Sequence, residues 1–318
     1  MQNRPRPRIG ALASVLAGML VFGPVHANAQ EDQGSQAQAA STVAPAPEPS
    51  TTTPPAEPLW TLAASAGVSS RDDGPDGSWQ TLALTRRLGR GYVRGSMMRY
   101  NGTLQQSDAA LPSDYYVGTL GAGGNFDNWV VDGWMSYGRQ RYGKISTASG
   151  SRSSTGAKGS DYYAVGGDFG RVVPLGSRFY LTPTVAASFA SGKLLRPAPT
   201  GSDQIDLETD EPTWSGNATM RMDYAFGAAR SHYIGLSISR NWSSNGVSAL
   251  RVRPSGDGDG TPAFALDSKH YADGWSEIGT SANMKLGRNL YLDLFATRSF
   301  GALAGNVTAA GVGLRKSF

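Results

Sequence analysis

Residues 59–318 of this chain predict an all-β fold: a single transmembrane antiparallel β-barrel of about twelve strands, preceded by a disordered Pro-rich linker. Three observations carry that expectation. Segments of about 10–14 residues alternate apolar and polar side chains, the links between them alternate short and long, and aromatic residues gather at segment ends.

The segments are 59–70, 78–88, 91–103, 114–126, 129–141, 160–173, 178–191, 213–226, 231–243, 269–286, 289–301 and 305–318. In 213–226, Trp214, Ala218, Met220, Met222, Tyr224 and Phe226 fall on one face, and Ser215, Asn217, Thr219, Arg221 and Asp223 on the other. Side chains of a strand point to opposite sides with a period of two, so the segment has one apolar and one polar face. Segments 178–191 and 269–286 repeat the pattern, and several strands carry charges in their middles. A dry core rejects unpaired charge, whereas a watery lumen accepts it. The expected lumen charges are Arg94, Asp132, Asp168, Arg221, Asp223, Asp273, Glu277, Asp293 and Arg315.

Links at 89–90, 127–128, 174–177, 227–230 and 287–288 are short, and those at 71–77, 104–113, 142–159, 192–212 and 244–268 are long; only 302–304 is short on the long-loop side. Gram-negative outer-membrane barrels have short periplasmic turns and long outer loops, so an even strand count puts both chain ends in the periplasm. Trp60, Tyr92, Trp129, Phe179, Tyr224, Phe226, Tyr291 and Phe318 are expected at the periplasmic rim. Trp79, Tyr100, Tyr116, Tyr163, Phe189, Trp214, Trp242 and Phe300 are expected at the outer rim, since amphipathic rings favour the headgroup level.

Upstream, Arg4, Arg6 and Arg8 precede the apolar run 11–23, and Ala27 and Ala29 have the small-x-small spacing of a cleavage site. Residues 1–29 read as a secretory signal peptide. Residues 30–58 are rich in Pro, Ala, Ser and Thr and have too little apolar surface to offset the entropy of ordering. Pro45, Pro47, Pro49, Pro54, Pro55 and Pro58 exclude a helix there. The chain has no cysteine, which excludes a disulfide framework and a thiol nucleophile. Its net charge of +4 comes without a Lys/Arg block, so no nucleic-acid partner is expected. Composition leaves the oligomeric state open.

The chain ends NVTAAGVGLRKSF, with Ala310, Val312, Leu314 and Phe318 on one face. This ending, together with WSEIGTSANMKLGRNLYLDLFATRSF at 275–300, resembles the closing strands of the autotransporter β-domain family. Gly313, Leu314 and Phe318 match the family's terminal pattern; Lys316 stands where an aromatic is usual. The resemblance implies a barrel surrounded by outer-membrane lipid and lipopolysaccharide and inserted by the barrel-assembly machinery, with Gly313, Leu314 and Phe318 as the insertion signal. That family secretes an N-terminal passenger through its barrel, with a helix in the pore. Only 30–58 precede the barrel here, so the expectation is a barrel lacking a passenger, with a structural, translocator-like or surface-loop-display role. The alternatives are a small-solute porin and, more remotely, an outer-membrane hydrolase.

A surface hydrolase needs a serine or carboxylate beside a histidine near the outer rim. His232 falls at the periplasmic side, and His270 lies at the outer end with Asp267 and Ser268 close by, read as a loop-rim histidine. No catalytic, metal or cofactor site is expected. GDGDGT (256–261) and DDGPDG (72–77) read as turns and not as calcium loops. Loop 192–212 is acidic, with Asp203, Asp206, Glu208, Asp210 and Glu211, while loop 142–159 carries Lys144, Arg152 and Lys158. Simple solvation, mutual pairing, and binding of divalent cations or lipopolysaccharide phosphates all fit that pattern.

Overall fold

The computed structural model describes residues 59–318 apart from 73, 106–108, 148, 199–204, 228–229 and 256–262; the leader and linker at 1–58 lie outside the described residues. Twelve long strands follow in chain order: β1 (Trp60–Arg71), β2 (Gly74–Leu88), β3 (Gly91–Gln105), β4 (Ala109–Phe126), β5 (Trp129–Tyr142), β6 (Gly159–Arg171), β7 (Phe179–Ser191), β8 (Thr213–Phe226), β9 (His232–Ser255), β10 (Ala263–Gly287), β11 (Leu290–Phe300) and β12 (Val307–Ser317). Each pairs antiparallel with the next. The last pairs with the first, from Thr61↔Ser317 to Arg71↔Val307. The amides of Trp60 and Phe318 extend that seam, each bonded to the other's carbonyl at 3.0 and 2.8 Å. The barrel therefore has no free edge, the condition for a sheet in lipid.

Outside and inside follow the period of two. Along β8, Trp214, Ala218, Met220 and Met222 are exposed while Thr213, Asn217, Thr219 and Asp223 are buried. The same inversion puts Leu82, Met97, Leu120, Met135, Val165, Val185, Ile238, Ile278 and Leu314 on the outer surface. A continuous apolar belt of that kind needs lipid around it. The inner face mixes polar groups with two aromatic-rich clusters. One joins Tyr100, Tyr115, Trp134 and Tyr162, and the other joins Tyr180 and Tyr233 with Val130, Val172 and Ala225.

At the end that holds both termini, the turns are tight. Asp127 and Asn128 link β4 to β5 with φ of 55° and 70°, the left-handed pair of a type I′ hairpin. At the opposite end the connections differ from the sequence expectation. The 244–268 stretch is mostly strand: β9 and β10 continue as a ribbon, paired from Val247↔Tyr271 to Ser255↔Ala263. Its Ser244, Asn245 and Gly246, read as loop residues, form a bulge in β9, where the register shifts. Likewise β2 begins at Gly74, and β3 and β4 extend to Gln105 and from Ala109. Polar and glycine-rich composition loses its meaning as a loop signal once a hairpin rises beyond the apolar layer, because backbone pairing can continue there without an apolar face. Loop 142–159 holds a small hairpin, Ile145–Thr147 with Gly150–Arg152, and loop 192–212 holds another, Lys193–Arg196 with Leu207–Asp210.

The two aromatic rims also need correction. Trp129, Phe169, Phe179, Tyr224 and Phe226 line the terminal end on the outer face, with Trp129–Phe169 and Phe179–Tyr224 ring centroids 4.9 Å apart. Tyr163, Phe189 and Trp214 form a ladder at the loop end. Tyr92, Trp79, Tyr100 and Tyr291, however, share the parity of inner-face residues on their strands. Position along the strand misled there; parity decides which side a ring takes.

Candidate functional site

The inner face and its mouth at the loop end are the places where this fold can act. Among the expected lumen charges, three opposite-charge pairs form. Arg94, with a side chain only 1% exposed, lies 3.6 Å from Asp132, which also accepts a hydrogen bond from the Tyr92 hydroxyl. Asp168 stands directly opposite Asp132 on the neighbouring strand. Arg221 donates to both carboxylate oxygens of Asp223, at 2.7–3.0 Å, and to Ser281 at 3.1 Å. Arg315 donates to Asp293 at 3.1 Å, with Asn283 on the same carboxylate and the Tyr291 ring 4.9 Å from the guanidinium. Glu277 sits opposite Ser239 and Ser299 on β9 and β11. Asp273 belongs to the loop-end rim instead, where its carboxylate accepts the Leu303 amide at 3.0 Å and holds the β11–β12 turn. Removing one member of a buried pair leaves the other uncompensated, at roughly 3–5 kcal/mol.

A second inner feature escaped the sequence. Trp79 and Phe295 stack with centroids 5.7 Å apart and planes 19° apart. They lie over Gly67 and Gly311, where a Cβ would come within 2.5 Å of the Trp79 and Phe295 rings respectively. Only glycine leaves room for rings laid flat against the wall.

A hairpin folds over part of the mouth. The hairpin Lys193–Arg196/Leu207–Asp210 leaves the wall between β7 and β8, yet Leu194 and Leu195 are buried against Leu104, Leu111 and Ile145. Leu104 and Leu111 have inner-face parity on β3 and β4, three to four strands along the wall, so the hairpin leans inward over that side of the opening. Arg152 grips Asp206 through two bonds of 2.7 Å, and the amides of Ala198 and Thr155 bond the same carboxylate at 2.7 and 2.8 Å. The Arg152 bonds hold the Asp206 carboxyl well below the usual range, against the opposing effect of burial. The basic and acidic loops therefore pair at this point.

The other side of the cap rests on Glu211. Thr209, Ser248, Ser268 and Arg196 donate to its Oε1 at 2.6–3.2 Å, and Asn245 donates to Oε2 at 3.1 Å. Burial raises the Glu211 pKa, but the Ser268, Asn245, Thr209 and Ser248 bonds outweigh it, and the net shift is downward. His270 Nε2 lies 3.1 Å from Glu211 Oε2. The carboxylate beside His270 is thus Glu211, whereas the side chain of Asp267 lies outside the described residues. Ser248 and Ser268 spend their hydroxyl protons on Glu211, leaving the imidazole with a carboxylate partner and these two serines directed elsewhere. His232, at the terminal end, accepts the Lys285 amide at 3.2 Å. Beneath the cap is a cavity of about 50 Å³ lined by Tyr115, Gln140, Tyr162, Lys193, Leu194 and Glu211 among others.

No group of three or more metal-ligating side chains forms among the described residues. DDGPDG is not a turn throughout, since Gly74–Gly77 belong to β2; its Asp72 pairs with Arg298 at 2.7 Å, and GDGDGT lies outside the described residues. Gly313, Leu314 and Phe318 sit in the closing seam, Gly313 opposite Ser65 and Leu314 opposite Ala64, with Phe318 exposed at the rim.

A closed sheet, a lipid-facing belt and a polar, charge-bearing interior define a twelve-stranded membrane barrel. The sequence matches the autotransporter β-domain over residues 88–297, and the chain belongs to that family of outer-membrane barrels. Its fold is similar to the translocator domain of the autotransporter NalP from Neisseria meningitidis, with a TM-score of 0.62 and 16% identity, covering 97% of this chain and 99% of that one. It is also similar to the β domain of the Bordetella autotransporter BrkA, with a TM-score of 0.54 and 15% identity, covering 82% and 99%. No curated protein matches the chain in sequence.

Proposed function

We propose that this chain is a closed outer-membrane barrel that presents structured loops at the cell surface, with both termini in the periplasm, and not an open solute channel. The observation that carries this reading is the cap. Leu195 is fully buried and Leu194 nearly so, against residues from two other loop hairpins, and the Arg152–Asp206 grip fastens the same hairpin. A mobile gating loop would have few buried apolar contacts; this one has the packing of a core. The tight turns at the terminal end and the tall ribbons at the other support the orientation.

A porin reading draws on a different observation. Inner-face residues Thr61, Ala63, Ser65 and Gly67 of β1 and Gly311 and Gly313 of β12 are half-exposed, so that wall borders open space. Planar-bilayer recording of the folded protein separates the two. The expected result is silence, and steady open-channel steps would overturn closure. Epitope tags at Ser149 or Asp206 should be reachable on intact cells and tags near Arg288 should not; the reverse pattern would overturn the orientation.

A further inference from the structure

The two ends of the barrel differ in charge. At the loop end, cations meet acids: Arg152–Asp206, Arg196–Glu211, Arg298–Asp72 and Arg99–Asp114 are all ion pairs of 2.7–3.2 Å. At the terminal end, the turns and strand ends 86–91, 126–129, 171–179, 226–232, 285–290 and 316–318 hold nine Lys or Arg and a single acidic side chain, Asp127. Asp127 pairs with Arg90. Like charges crowded on one rim repel, so an anion placed beside the rim is attracted to it.

Side-chain placement says where those anions lie. Arg86 and Arg171 have outer-face parity, and their guanidinium groups sit 5.3 and 5.1 Å from the Trp60 and Trp129 rings. Arg178 lies 3.3 Å from the Tyr224 hydroxyl, and Lys316 is exposed on the outer face of β12. Rings of this kind settle at the boundary of acyl chains and headgroups. A guanidinium stacked on such a ring is held at the depth of lipid phosphates, and its planar fork matches two phosphate oxygens.

We propose that this rim is a binding belt for the phosphate headgroups of anionic glycerophospholipids. On the orientation proposed above, on which this part of the inference rests, these are lipids of the periplasmic leaflet. Arg86, Arg171, Arg178 and Lys316 form its lipid-side contacts, and the remaining rim cations supply the attracting field. Lipid phosphate fits better than the chain's own acids Glu31, Asp32, Glu48 and Glu57, because the stacked guanidinium groups lie on the lipid side of the wall.

The test uses the chain from Gln30 onward, refolded into vesicles of phosphatidylcholine with phosphatidylglycerol. Brominated lipids quench tryptophan on contact; in a background of Trp214→Phe and Trp242→Phe the lipid-facing tryptophans that remain are Trp60 and Trp129 at this rim, so quenching gives the relative binding constant of the two lipids there. The parent should favour phosphatidylglycerol, and raising salt to about 0.5 M should largely erase the preference. Each cation removed should lower it about five-fold, so the variant Arg86→Gln, Arg171→Gln, Arg178→Gln and Lys316→Gln should lose it. A control with Lys144→Gln and Arg251→Gln, on the loop-end connections, should keep it. If the fourfold variant does not refold, Arg171→Gln alone is read against Arg171→Lys, which should retain most of the preference. An unchanged preference in the charge-loss variants overturns the belt. So does a parent without preference whose stability is nevertheless salt-sensitive, which would assign the rim to the chain's own acids. Symmetric vesicles expose both rims to the same lipids, so this result is independent of the tag experiment that tests orientation.

Discussion

Replacing Leu195 with alanine should open the mouth of the barrel while leaving its wall intact. Leu195 has no exposed surface and packs with Leu194 against Leu104, Leu111 and Ile145. Truncating a buried leucine costs about 2–5 kcal/mol, through lost transfer energy and the cavity left behind. The side chain belongs to the cap hairpin and to none of the twelve wall strands, so the loss falls on the equilibrium between capped and uncapped mouths. At a cost of about 3 kcal/mol, the uncapped fraction rises on the order of a hundredfold. The Arg152–Asp206 and Arg196–Glu211 contacts remain in the variant, so opening should be intermittent. The assay is single-channel recording: brief openings in Leu195→Ala, and lasting ones after deletion of 193–210. The gel shift between heated and unheated samples verifies that the wall is folded. If both variants fold and both stay silent, the cap is not the barrier, and the inner-face cluster around Tyr115 and Trp134 is.

Acid should leave the cap in place over most of its range. The Asp206 and Glu211 pKa values are both depressed in the folded state, so their contribution is fully present above the ordinary carboxylate range and is lost only as pH falls through lower values. Silence in the bilayer is therefore expected from neutral pH down to about pH 4, and channels that appear near pH 5 would refute the clamp. Asp206→Asn should weaken the cap at every pH, each lost charge-assisted bond counting for about 1.5–3 kcal/mol, read as openings at neutral pH. Gly311→Ala should reduce the folded fraction, because its Cβ would lie 2.5–2.6 Å from Phe295 ring carbons and 2.8 Å from Trp79. Phe295→Ala in the same chain should restore much of it, and a failure to do so would place the strain in the backbone. Phe318→Ala should lower the amount of barrel inserted in cells without lowering the melting temperature of the barrels that do insert. Its ring is 61% exposed, and its backbone bonds to Trp60 survive the change. Equal insertion would show that the ring is not part of the signal.

The wall was legible because its two signals are strong and independent. Alternation in β7 and β8 fixes which residues face outward, and Asp127–Asn128 and Gly89 mark turns by their backbone demands. Position along a strand and composition, taken without parity, do not place a side chain inside or outside the wall. Trp79 and Tyr100 stand near strand ends, which suggests the loop-end rim, but each is an even number of residues from the inner-face Ala83 and Arg94 respectively. The cap was half legible: the opposite charges of 142–159 and 192–212 point to a pairing that Arg152 and Asp206 carry out. The apolar half rests on Leu194 and Leu195, two adjacent residues in a polar stretch, and no periodicity flags a pair that gains its partners from remote hairpins. The Glu211 cluster is hidden for the same reason, since Thr209, Asn245, Ser248 and Ser268 meet only after the ribbon of β9 and β10 has formed beside the cap.

Charge is handled in opposite ways at the two ends, and the difference follows from what each end must hold. At the loop end a hairpin has to lean inward over part of the opening, away from the wall strands. Two buried leucines give it adhesion without direction, and the carboxylates of Asp206 and Glu211 give it direction, since each accepts several donors at fixed angles. Arg152 and Arg196, the cations that hold the cap, are matched within the protein by Asp206 and Glu211. At the terminal end the turns are short, the strands already close on each other, and nothing needs to be clamped. Cations there are left with one acidic side chain among nine, and three arginines are set on or beside rings of the lipid-facing rim. A rim of that composition adds little to folding; its energy comes from whatever anion lies beside it. One end of the barrel is thus built to bind itself, and the other to bind the membrane in which it stands.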